Sequence, residues 1–138
     1  MENGRLNLYL GLVAMLVAAI SGFALGQTLE PYYASGYGQI PLWRYLIKAG
    51  HTHGMPFGLI NIVFGLLIER SAGSLDLRRR ASILTALSLL LPVGVALRGL
   101  TEGAAWAKVV VMVGGFSFLG AGIAMWLVVR SLGETRRG

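Results

Sequence analysis

The sequence predicts an all-α fold, a four-helix antiparallel transmembrane bundle. Three observations carry that expectation. Of 138 residues, 55% are hydrophobic and only 13% charged, with a mean hydropathy of +0.67, whereas soluble domains carry roughly 25% charged residues. The apolar residues fall in four blocks divided by short basic or polar segments. Crossing a bilayer core takes about 20 helical residues, and each block reaches or approaches that length. An ordinary soluble domain, a disordered chain and a disulfide scaffold are excluded. The chain has no cysteine, so thiol, iron–sulfur and Cys-zinc chemistry are excluded too.

The first helix is expected over residues 6–26, with Asn7 and Ser21 its only clearly polar side chains. Ala24-Leu25-Gly26 has the small-x-small form of a signal-peptide cleavage site, but an apolar run of about 20 residues exceeds the usual 7–15. Lipid tails are as apolar as leucine, so helices in a bilayer meet through small residues. At about 100° per residue, Gly11, Ala14, Ala18, Ser21 and Gly22 share one face, with Gly26 one turn beyond Gly22. The segment that follows holds Glu30, Tyr32, Tyr33 and Tyr37 before Trp43, the pattern of an interfacial aromatic belt.

The second helix is expected over 43–69, a length it reaches only by including Lys48, His51 and His53. Gly54, Gly58 and Gly65 fall within about 40° of one another, with Asn61 at the edge of that face as an interhelical hydrogen-bonding group. His51 projects toward the same side, and His53 lies about 160° away. Pro56 leaves a second arrangement open, in which the helix kinks or starts there and both histidines sit in a turn. The third helix, 81–98, carries a Pro92 kink and a polar stripe of Ser82, Thr85 and Ser88. Arg98 and Glu102 would pair if that helix continued past them. The fourth, 108–130, has no charge between its ends, and Gly114, Ser117, Ala121 and Ala124 share a face.

The net charge is +6. Because the basic residues cluster between apolar blocks, the expected partner is the lipid bilayer and not nucleic acid. One side holds Arg5, Arg70, Arg78, Arg79, Arg80, Arg130, Arg136 and Arg137; the other holds Arg44, Lys48, Arg98 and Lys108. The positive-inside rule then puts both termini in the cytoplasm of a bacterial inner membrane. Arg78, Arg79 and Arg80 are expected to meet anionic lipid headgroups.

One segment can carry chemistry. Residues 48–56 contain His51 and His53, the only two histidines in the chain. Ionisable residues at membrane depth are costly and mark functional sites, and histidine supplies metal ligands. A single haem cannot take both axial ligands from residues two apart on one chain, so one histidine per copy would serve. A copper or zinc site needs a third ligand, for which Glu30, Glu102, Tyr32, Tyr33 and Met55 fall on the same side. Three other readings stand beside metal or haem binding: a small transporter, a non-catalytic subunit or assembly factor, and an interfacial pair with no further role. Packing through the small-residue faces also points to a homo-oligomer or a membrane-complex partner. No catalytic residue set for an enzyme acting on its own is evident.

His51-Thr52-His53-Gly54, followed by Gly58, Leu59, Asn61, Phe64 and Gly65, resembles the His-x-His helix of small bacterial membrane proteins similar to haem-copper oxidase subunit I. The resemblance covers about 15–20 residues of the chain. It implies that His51 or His53 is a haem or metal ligand in a respiratory setting. The further histidines of the oxidase reaction centre are missing from this chain, so a complete centre in one copy is not expected.

Overall fold

The computed structural model describes residues 3–33 and 40–134. These form five helices: α1 (Asn3–Tyr33), α2 (Leu42–Arg70), α3 (Leu75–Ser88), α4 (Leu90–Leu100) and α5 (Ala105–Glu134). There is no strand among the described residues. Helices α3 and α4 together make one span, so four are long and apolar enough to cross a membrane: Gly4–Thr28, Leu42–Arg70, Leu75–Leu100 and Ala105–Leu132. With no water in the bilayer core, helices that satisfy their own backbone are the form such segments must take. The protein is therefore an all-α, multi-pass, membrane-type four-helix bundle.

The helix ends differ from expectation. Helix α1 runs on to Tyr33, into the segment expected as a connection. Helix α2 is unbroken at Pro56, which places both histidines on a helix and not in a turn. Pro56 is exposed. The third span starts earlier, because Ser74 caps it by accepting the Leu77 amide at 3.3 Å and Asp76 stands in the first turn. It breaks at Leu89, three residues before Pro92, whose ring cannot donate to the Ser88 carbonyl. The expected kink is thus a division into two helices.

Glycines set the helix pairing. A Cβ on Gly11 would stand 2.6 Å from the Gly58 carbonyl oxygen, and one on Gly65 would stand 2.7 Å from that of Gly4. Gly4 facing Gly65, Gly11 facing Gly58 and Gly22 facing His51 make α1 and α2 antiparallel. Gly50 against Ala96 and Gly99 against Ile47 join α2 to α4 in the same sense. Gly94 against Val111, and Gly114 against Leu90 and Leu91, join α4 to α5. Of the packing residues expected, Gly22, Gly54, Gly58, Gly65 and Gly114 meet neighbours, and Ala121 is buried. Gly26 does not: nothing stands within 4 Å of where its Cβ would be. At the end carrying the 70–80 loop, Ile68, Ala81, Ala124, Met125 and Val128 form an apolar core.

Candidate functional site

His51 and His53 share one stretch of α2 and point apart. His51 is half-buried against α1, where Gly22 leaves room for its ring, and His53 is exposed. The tautomer of each follows from its partner. The Ser21 hydroxyl donates to the Ala18 carbonyl at 2.9 Å. That hydroxyl has no second proton, so it accepts from Nδ1–H of His51 at 3.3 Å. Nδ1–H of His53 donates to the Ala49 carbonyl at 2.7 Å. In the neutral ring both leave Nε2 unprotonated, and that of His51 lies against Gly22, 2.7 Å from where a Cβ there would stand. An Nδ1–H anchored in this way is the usual support behind a ligating imidazole.

His51 lies on the wall of a cleft of about 350 Å³ between α1, α2 and α4. The other walls come from Leu10, Val13, Val17, Leu89, Pro92 and Val93, among others. Val13, Val17 and Val93 are each about half-exposed, so the cleft opens on the outside of the bundle at membrane depth. Its α4 wall starts at the Leu89 break and includes Pro92. The cleft is lined almost wholly by carbon, with His51 and Ser21 its polar side chains.

The third ligands proposed for a copper or zinc site are not brought to the histidines. Glu102 is exposed in the α4–α5 turn and lines a separate cavity with Trp43 and Arg98. Glu30 lies in α1, but its side chain is outside the described residues, as are Tyr32, Tyr33, Tyr37, Arg136 and Arg137. Among the described residues no three His, Cys, Asp or Glu side chains gather as a metal would need. Arg98 and Glu102 form no ion pair, because α4 ends at Leu100 and the chain turns away.

A second polar centre lies toward the opposite end of the bundle. Asn7 is fully buried. Its Nδ2 donates to Asn61 Oδ1 at 3.2 Å and to the Ser82 carbonyl at 3.0 Å, while the Ser82 hydroxyl donates to Asn7 Oδ1 at 2.6 Å. This network ties α1, α2 and α3 at one level. Asn61 therefore bonds between helices, as its position on the α2 face suggested. Asn7 and Ser82 were visible only as polar residues in apolar blocks, and intramembrane polarity was the signal that could have paired them. Glu69 shares the glycine face of α2, as helical spacing places it, and its unanticipated role is a cap: its Oε1 accepts the Gly4 and Arg5 amides of α1 at 2.9 and 3.2 Å. Arg78, Arg79 and Arg80 stand in the first turns of α3, with Arg80 paired to Asp76 at 2.8 Å on the exposed surface.

Fold and site together define a class: a small multi-pass helical membrane protein with an apolar cleft entered from its side. No family model, no curated protein and no solved structure matches the chain.

Proposed function

We propose that this protein holds a haem through one imidazole, His51, in the cleft between α1, α2 and α4, as a component of a redox or respiratory system in a bacterial inner membrane. The observation that carries the reading is His51 on the wall of an apolar cleft, its Nδ1–H fixed by a serine whose own proton is committed to Ala18. His51 would hold the group through one imidazole and the carbon-lined walls would cover its hydrocarbon part, while its propionates would have to reach beyond the cleft, which has no basic side chain other than His51. A three-ligand copper or zinc site fits less well, since no further carboxylate or histidine joins His51 among the described residues. Haem bound there would supply one-electron chemistry. The chain's own residues orient the ligating nitrogen and keep water from it. His53 has the same tautomer but faces outward, and it belongs to the reading only if a second protein closes over it.

Optical spectroscopy of detergent-purified protein from haem-replete cells tests this. A Soret band is expected in the wild type, lost in His51→Ala and kept in His53→Ala. A colourless wild-type preparation, or a band lost only with His53, overturns the assignment. A second reading, a non-catalytic subunit or assembly factor, is favoured by Gly26 and Gly122. Both have open space where a Cβ would stand, on helix surfaces that a partner helix could approach closely. It predicts a colourless protein that co-purifies with other membrane subunits.

A further inference from the structure

The cavity beside the α4–α5 turn is separate from the His51 cleft and has its own chemistry. It measures about 250 Å³ and is lined by Leu42, Trp43, Leu46, Arg98, Glu102 and Gly103. It sits where α2 begins and α4 ends, at the headgroup level of a four-span bundle. The Gly103 amide donates to the Arg98 carbonyl at 2.8 Å, the closure of a Schellman turn. In that turn residue 102 takes a left-handed backbone, normally the place of glycine, and here Glu102 holds it at φ 52°. Arg98 and Glu102 thus face one cavity without pairing, and the Arg98 Nε–H, shielded from solvent, has no acceptor within the protein. A cation and an anion held apart across a cavity complement a molecule carrying the opposite charges at the same spacing.

We infer that this cavity binds the headgroup of a zwitterionic, amine-bearing phospholipid. Arg98 takes the phosphate, for which a guanidinium is the best-matched side chain. Glu102 takes the ammonium group. Leu42 and Leu46 cover the first methylenes of an acyl chain. The strained backbone at Glu102 is explained by this role, because a glycine there would relax the turn but remove the carboxylate.

Native mass spectrometry of the full chain, released from nanodiscs of equal phosphatidylethanolamine and phosphatidylglycerol, tests the assignment. The wild type is expected to retain the amine lipid with about fivefold preference, the worth of one wet-surface ion pair. Glu102→Gln is expected to erase the preference while still retaining phospholipid. Arg98→Ala is expected to lower retention of both lipids. Glu102→Gly keeps the fold by relaxing the turn, so it is expected to unfold at a higher temperature in detergent and also to lose the preference. A wild type that retains both lipids equally, or a Glu102→Gln or Glu102→Gly protein that keeps the preference, overturns the proposal.

Discussion

At the scale of single residues, several polar side chains of the bundle meet a partner on another helix. His51 answers Ser21, Asn7 answers both Asn61 and Ser82, and Glu69 answers two amides of α1. Asn7 is the most exacting of these, since it is fully buried and every polar atom of its amide has a partner on another helix. Asn7→Ala leaves the Ser82 hydroxyl and Asn61 Oδ1 without it. A loss of about 1–2 kcal/mol is expected in an SDS or urea titration of the detergent-solubilised protein. A cost within error would mean that α1 is positioned by its glycines alone. The divergence of His51 and His53 was legible, because a helical period sends residues two apart to nearly opposite faces. The tautomers were not, because they depend on Ser21 and Ala49, whose proximity only the folded chain supplies.

At the scale of elements, close backbone approach does the work that burial does in water. The expected helix over 108–130 is present within α5, and its Gly114 meets the backbone where α4 begins. Gly94 is matched in turn by Val111. Gly94→Leu would drive a side chain into the α5 backbone and is expected to cost about 1–3 kcal/mol by overpacking. Differential scanning fluorimetry in detergent measures this, and an unchanged melting temperature would show that α4 shifts freely. The seams made by Gly4, Gly50, Gly94 and Gly99 were not anticipated. Glycine spacing marks a face on one helix, but which glycines meet depends on the axial offset between two helices, and no local pattern encodes that offset. The division at Leu89 was only half legible. Pro92 announces a disturbance, yet whether a helix bends or restarts is decided by what packs beside it, here Val110 and Val111 of α5 on Gly94.

At the scale of the whole molecule, the bundle gathers Arg5, Arg70, Arg78, Arg79, Arg80 and Arg130 at the end where Glu69 caps α1 and Ser71 bonds Ser131 at 2.9 Å. Arg44, Lys48, Arg98 and Lys108 fall at the other end. The fold was legible in outline because hydropathy and length suffice for a membrane-type helix. The charge bias further predicts that the arginine-rich end is cytoplasmic. The absence of native cysteine makes this directly testable. A maleimide is expected to label Ser74→Cys only after spheroplasts are permeabilised, and Gly103→Cys from outside; the reverse pattern would invert the orientation.

The cleft beside His51 has its mouth among Val13, Val17 and Val93 and not at either water-facing end. A ligand entering through that opening would arrive by partitioning into the hydrocarbon and diffusing in two dimensions. Occupancy would follow a compound's mole fraction in the bilayer, not its aqueous concentration. By that route, competitors stripped of their oily portion would compete poorly for the cleft.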